Sequence, residues 1–178
     1  DDELPFIIVQ LPMFKYAADP DYKHWCKIRE AQMRAYKTVK NTGIAVISDC
    51  GEFNEIHPKN KVPVGERLCL QAEKLFYGMD VKAFGPIYKS LEYKNGIELS
   101  FDHAENGFVV KGEAQGFEIA GKDEEFVKAD ITINGSKIFI KSDTVEKPLY
   151  ARYNWFNYCE VTIFNETGIP LAPFRTEK

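Results

Sequence analysis

Two kinds of hydrophobic pattern divide the chain. In the first part, the continuous apolar runs at residues 6–11 and 44–47 predict buried strands, and each is followed by an amphipathic stretch, at 20–40 and 63–77, that predicts a helix. This strand-helix order favours parallel strands. Two strands do not make a stable sheet that is covered on both faces. We therefore predict that residues 1–82 are the C-terminal part of an α/β domain, and that the chain is a piece of a longer protein.

Details of the first part follow from the same pattern. We expect the strand at 6–11 to leave apolar surface that another copy of the chain or an N-terminal portion of the same protein covers. The segment Asn41-Thr42-Gly43 is predicted to end the first helix, and Gly43 in it is free to adopt a positive φ. The second helix should bury a stripe made of Val64, Leu68, Ala72, Leu75 and Phe76.

From Gly85 onward, the pattern changes to short alternating runs between turn signals. Asn95-Gly96 and Asn134-Gly135 are typical of tight hairpins, and about eight short strands at this spacing favour an antiparallel β-sandwich of jelly-roll type. We assign residues 83–178 to this domain and expect Trp155 and Phe174 to be buried in it. Arg152 and Trp155 can share one face, either as a cation–π pair or as a platform for a sugar.

The candidate for chemistry is His57, on the loop between the strand at 44–47 and the second helix. Open α/β sheets bind ligands beyond the carboxyl ends of their strands, which is where this loop lies. Pro58 restricts the backbone of His57. Because histidine exchanges a proton near neutral pH, His57 is a candidate general base. The alternative is a solvated loop histidine without a catalytic function.

Several segments form a recognisable series along the chain: 4–12, Trp25 with 28–32, 56–61, 64–68, Gly85-Pro86, 116–121, 152–155 and 170–176. In this order they resemble the sialate O-acetylesterases, which are carbohydrate esterases of the SGNH hydrolase group. The segment around His57 resembles the last catalytic block of that family. The resemblance covers only the C-terminal portion of the family, because the Gly-Gln-Ser-Asn nucleophile motif does not occur in this chain. It implies a partial SGNH (flavodoxin-like) three-layer α/β portion ahead of the β-sandwich.

The resemblance implies ester hydrolysis in which His57 takes a proton from a serine that lies outside this chain. The family pattern places an aspartate three residues before the histidine, where this chain has Asn54. Asp49, Glu55 or a main-chain carbonyl could orient the imidazole instead, and a Ser-His dyad without an acid stays open. Gln10, near the end of the first strand, either binds the sugar or caps the strand. None of the serines in this chain lies in a nucleophile motif, so the chain alone is expected to be inactive.

Composition excludes several other classes of function. The net charge of −4 and the pI of about 5.5 argue against nucleic acid as a partner, and no apolar stretch is long enough for a membrane span. The cysteines are scattered and contain no CxxC pair, so we expect neither a metal site nor a cofactor. The family resemblance implies an acetylated sugar, sialic acid or a related one, as substrate and a periplasmic, secreted or lysosomal location.

Two functions of different classes remain. The chain is either the histidine-bearing part of a carbohydrate O-acetylesterase or a non-catalytic β-sandwich module that binds carbohydrate or protein. The loop of His57 distinguishes them, because a binding module has no need for a histidine beyond the carboxyl end of a strand.

Overall fold

The computed structural model describes residues 4–177. Within it, the chain forms two compact units, Asp1–Phe84 with Phe156–Cys159 and Gly85–Trp155 with Glu160–Lys178. Segment 156–159 thus groups with the first unit although it lies within 83–178.

The elements of the first unit are β1 (Phe6–Val9), α1 (His24–Thr38), β2 (Thr42–Ala45), a 3₁₀ helix (Ser48–Cys50) and α2 (Val62–Leu75). Those of the second unit are β3 (Ile87–Lys94), β4 (Gly96–Asp102), β5 (Val109–Val110), β6 (Phe117–Ala120), β7 (Val127–Lys128), β8 (Asp130–Asn134), β9 (Lys137–Lys141), β10 (Tyr150–Tyr153), β11 (Ile163–Phe164) and β12 (Phe174–Arg175).

In the first unit, β1 and β2 pair in parallel, with Phe6 opposite Thr42 and Val9 opposite Ala45. The residues of β2 from Gly43 onward are buried, but Phe6 at the start of β1 is 67% exposed. Within this chain, β1 is therefore not covered on both faces. Apolar surface is left open at β1, as we predicted for a strand that lacks neighbours.

Helix α2 packs on the sheet through polar side chains. Arg67 and Gln71 are its buried residues, while the predicted apolar stripe is half-buried or exposed. The amide of Gln71 accepts a hydrogen bond from the backbone N–H of Ile44 in β2 at 3.2 Å and donates one to the carbonyl of Ala83 at 2.6 Å. The stripe prediction was wrong because backbone groups of the sheet, rather than apolar side chains, receive this face of α2.

Gly43 has a different function from the predicted one. The residue with positive φ after α1 is Asn41, at φ 55°, and Gly43 lies inside β2. A Cβ atom at Gly43 would lie 2.5 Å from Cδ1 of Leu75 and 2.6 Å from Oε1 of Gln71. Gly43 therefore permits the close approach of α2 to β2.

The second unit consists of strands, which form two four-stranded antiparallel sheets in the orders β12-β10-β6-β7 and β3-β4-β9-β8 and a two-stranded pair, β11-β5. Inward-facing residues from both larger sheets form one apolar core, which includes Ile97, Leu99, Ile119, Ile138 and Ile140. The mixed α/β and β composition with mostly antiparallel strands is confirmed. The SGNH and jelly-roll assignments stay predictions.

Aromatic side chains close the core of the second unit. Phe174 stacks on Tyr88 with ring centroids 4.6 Å apart, and Trp155 and Phe174 are buried, as expected. The predicted pairing of Arg152 with Trp155 is wrong. Arg152 lies over the ring of Phe126, and Arg175, its neighbour across β10 and β12, lies 5.0 Å from the ring of Trp155.

Among residues 4–177, no helix is both long and apolar enough to cross a membrane. The same residues contain no group of three or more side chains of His, Cys, Asp or Glu that is placed to share a metal ion.

The packing of α2 on β2 predicts opposite effects for two glycine-to-alanine changes. Gly43→Ala should lower the free energy of unfolding by about 1–3 kcal/mol, because the new methyl group must displace Gln71 from its two hydrogen bonds. Gly65→Ala, inside α2 and with open space around it, should raise it by about 0.5–1 kcal/mol. Urea denaturation measures both. Equal effects of the two changes would contradict the close approach of helix and strand.

Candidate active site

The loop between β2 and α2 is anchored to the first unit by its backbone. It begins with the 3₁₀ helix and Gly51, where a Cβ atom would lie 1.9 Å from the carbonyl oxygen of Met13. Farther on, the N–H of Asn54 donates to the carbonyl of Lys15 at 2.9 Å. These contacts hold the loop against the segment that follows β1.

His57 projects from this loop into solvent. Its side chain is 89% exposed, while that of the next residue, Pro58, is buried. The carboxylate of Glu55 accepts a hydrogen bond from the backbone N–H of His57 at 2.7 Å, and the same oxygen lies 3.9 Å from Nδ1 of the imidazole. Pro58 thus fixes the backbone, and Glu55 lies beside the ring. This places two of the predicted catalytic residues together.

The carboxylate of Asp49 is engaged elsewhere. Its two oxygens accept hydrogen bonds from Nη1 and Nη2 of Arg67 at 2.5 and 2.8 Å, and Nη1 also donates to the carbonyl of Val46 at 2.9 Å. Burial tends to lower the pKa of Arg67, but the hydrogen bonds and charge of Asp49 outweigh this and raise it. The pair holds the start of the loop against α2. The catalytic function of Asp49 stays a prediction.

Asn54 occupies the position at which the family pattern has an aspartate. Its backbone has φ 63°, a left-handed conformation that asparagine tolerates better than most residues. Its side-chain oxygen accepts a hydrogen bond from the N–H of Ala17 at 3.4 Å. An asparagine at this position therefore joins the loop to residues 15–17.

Gln10 is fully buried at the end of β1. Its side-chain nitrogen donates to the carbonyl of Arg29 in α1 at 3.1 Å. Gln32 ties the same helix to the strand, because its amide accepts from the N–H of Leu11 and donates to the carbonyl of Val9. Gln10 would have to become accessible in order to contact a sugar, so its predicted role in binding remains without a test.

A cleft of about 790 Å³ lies beside the loop in the first unit. Asn54 and Ile56, which precede His57 in the loop, form part of its wall, and the other wall comes from the segment after β1 and from the start of α1. The lining residues are Phe14, Tyr16, Ala17, Ala18, Asp19, His24, Trp25, Asn54 and Ile56. The cleft is thus mostly apolar with a few polar groups, the composition typical of small-molecule sites.

Asn157 organises one side of this cleft, and the pattern of the sequence did not single it out. Asn157 is fully buried. Its side-chain oxygen accepts a hydrogen bond from the backbone N–H of Trp25 at 3.1 Å, and its side-chain nitrogen donates one to the carboxylate of Asp19 at 3.0 Å. Its backbone N–H donates to Asp21, and its carbonyl accepts from the N–H of Phe14 at 2.8 Å. These contacts exist because segment 156–159 packs with the first unit. No local signal in the sequence indicates that this segment does so.

The thiols are poor candidates for a nucleophile. Burial raises the pKa of Cys26 and Cys50 to about 11 and that of Cys159 to about 12. These three thiols are therefore protonated at neutral pH, and a protonated thiol is a weak nucleophile. Cys69 is exposed on α2 and is not among the residues that line the cleft.

The two carboxylates considered for His57 should differ in their effect on stability. Asp49→Asn removes the charged partner of the buried Arg67 and should lower the free energy of unfolding by about 1–3 kcal/mol. Glu55→Gln, at a more exposed site, should change it by less than about 0.5 kcal/mol. Urea denaturation of both variants tests this, and an equal loss would show that Asp49 does not hold the loop through Arg67.

Comparison with known proteins finds similarity among the solved structures. Neither the protein-family models nor the curated proteins give a match. The crystal structure of a carbohydrate acetylesterase from Xanthomonas citri matches the whole chain with a TM-score of 0.92 and 36% sequence identity. The match spans 42% of the length of that protein. The chain is thus similar, over its entire length, to less than half of a carbohydrate acetylesterase.

Proposed function

We propose that this chain is the histidine-bearing part of a carbohydrate O-acetylesterase that uses a Ser-His mechanism, with a serine supplied by a portion of the protein outside these residues. The observation that carries the proposal is the end-to-end match, at 36% identity, to a carbohydrate acetylesterase. The exposed imidazole of His57 beside Glu55 supports it. Within the chain, Ser48 is buried in the first unit, and the other serines lie outside any nucleophile motif.

In this mechanism, His57 takes the proton of the serine hydroxyl while the serine oxygen attacks the carbonyl carbon of the acetyl group. When the tetrahedral intermediate collapses, the bond between the acetyl carbon and the sugar oxygen breaks, and the imidazolium returns the proton to that oxygen. A water molecule, deprotonated by His57, then attacks the acetyl-serine, which releases acetate and restores the serine. Each half of the reaction moves one proton out and back.

Glu55 is the carboxylate best placed to orient the imidazole. Its Oε1 lies 3.9 Å from Nδ1 of His57, and a hydrogen bond requires about 3 Å, so a small rotation of the exposed ring would form it. With Nδ1 donating to Glu55, Nε2 is left as the acceptor for the serine proton. Asp49 then acts on the loop through Arg67 rather than on the ring.

The type of esterase and its substrate are proposed from the family resemblance. We propose an SGNH-type enzyme of the sialate 9-O-acetylesterase kind, with an O-acetylated sialic acid or a related sugar as substrate. The serine-bearing portion would complete the sheet next to β1, where Phe6 and Val9 are exposed. The second unit would then be a β-sandwich of jelly-roll type that accompanies the catalytic part.

Replacement of His57 tests the proposal in the natural protein that contains this chain. His57→Asn should lower the turnover of an O-acetylated sugar by about three orders of magnitude or more, as loss of a triad member does, because asparagine cannot take the serine proton. KM should change much less, since the imidazole acts on the transition state. Acetate release measures both.

His103→Asn is the matched control, because His103 is also exposed and lies in the second unit at φ 61°, which asparagine tolerates. It should leave turnover unchanged. If His57→Asn keeps the turnover of the control, the catalytic proposal fails, and the alternative of a non-catalytic module that binds carbohydrate takes its place.

A further inference from the structure

The cleft beside the loop of His57 carries an aromatic cluster that remains partly open to solvent. The ring of Phe14, which is buried, contacts the rings of Tyr16 and Trp25 edge-to-face at 4.7 and 5.6 Å between centroids. Tyr16 is 54% exposed and Trp25 is half-buried. Phe14 therefore fixes two aromatic rings that still have surface available to a ligand.

The side chain of Asn157 holds the polar residues of the cleft in place through hydrogen bonds. The side-chain oxygen of Asn157 accepts a hydrogen bond from the backbone N–H of Trp25. Its side-chain nitrogen must therefore be the group that donates to Asp19. The same nitrogen lies 3.3 Å from Nδ1 of His24, and because an amide nitrogen can only donate, Nδ1 accepts in this contact and Nε2 is left as the N–H donor of the ring. The orientation of Asn157 thus sets which nitrogen of His24 is a donor.

This arrangement presents a donor and an acceptor that one hydroxyl group of a ligand can satisfy together. Nε2 of His24 and Oδ2 of Asp19 are 3.9 Å apart, which is too long for a direct hydrogen bond. An oxygen placed to one side of the pair, about 2.8 Å from each atom, can accept from Nε2 and donate to Oδ2. Burial raises the pKa of Asp19, but hydrogen bonds from Asp21 and Asn157 act against it and the pKa is lowered, which keeps the carboxylate charged as an acceptor.

We propose that the cleft is a subsite for one sugar ring of the acetylated carbohydrate. The apolar face of a pyranose ring would pack on Trp25 and Tyr16, and one ring hydroxyl would bridge His24 and Asp19. Ile56, which lines the cleft, is bonded to His57, so the two Cα atoms are about 3.8 Å apart. A ring held in the cleft thus lies next to the loop that carries the general base. This inference rests on the proposed function.

The test uses the 178-residue chain and direct binding of sugars, measured by isothermal titration calorimetry. The probes are 9-O-acetyl-N-acetylneuraminic acid and O-acetylated xylotriose. Trp25→Ala should weaken the binding of at least one probe about tenfold, and Trp25→Phe, which keeps an aromatic face, should weaken it less. Circular dichroism checks that the variants are folded.

Tyr22→Ala is the matched control. Tyr22 is an aromatic residue close to Trp25, is 77% exposed and does not line the cleft, so its replacement should not change the affinity. A second readout uses Trp155→Phe, because Trp25 is then the only tryptophan. Its fluorescence should change on addition of the probe.

Three results overturn the proposal: affinity that is equal in Trp25→Ala and in the unchanged chain, a loss of affinity that is the same in Tyr22→Ala, and no binding of either probe at millimolar concentration. His57→Asn distinguishes this inference from the proposed function. If that variant binds the probe and keeps its turnover in the natural protein, the catalytic proposal fails while the sugar subsite stands.

Discussion

The first unit depends on the buried side chain of Asn157. Its amide joins three stretches that are distant in sequence: the segment after β1, the start of α1, and the return segment that carries Asn157 itself. Arg29 of α1 adds to the same junction by donating to the carbonyls of Pro12 and Phe156. Burial lowers the pKa of Arg29, and its guanidinium group donates to these carbonyls and to the Cys26 sulfur. A buried polar network of this kind specifies one arrangement, because any partial loss leaves unpaired groups.

In the loop of His57, the residues that anchor the backbone are buried or paired, while the imidazole is exposed. The anchors of the loop are buried or paired: Pro58, the Asp49–Arg67 pair, and Gly51 against the backbone of Met13. The imidazole itself is almost fully exposed. A general base that receives its nucleophile from another portion of a protein needs a fixed backbone and a free ring. The carbohydrate acetylesterase to which the chain is similar is more than twice as long as the matched part.

Much of the fold could be predicted from local patterns. Alternating runs indicated the antiparallel strands, and the expected burial of Trp155 and Phe174 in this part of the chain is observed. Patterns failed where a contact joins distant residues. Gly43 was interpreted as a helix end because nothing in the sequence shows that Leu75 and Gln71 pack on it. The pairing of Asp49 with Arg67 and the organisation of the cleft by Asn157 were missed for the same reason, since both depend on tertiary approach. The sequence did single out His57 and Glu55, because they are neighbours on one loop.

The central claim, that His57 is a general base for deacetylation, is tested most directly by chemical rescue in the natural protein that contains this chain. His57→Ala leaves a space at the ring position, and imidazole added to the solution can take the serine proton in its place. Acetate release by His57→Ala is expected to rise with imidazole concentration, while the same addition should have no effect on the unchanged protein. If His57→Ala is inactive and imidazole does not restore any turnover, or if the variant is fully active without it, His57 is not the base.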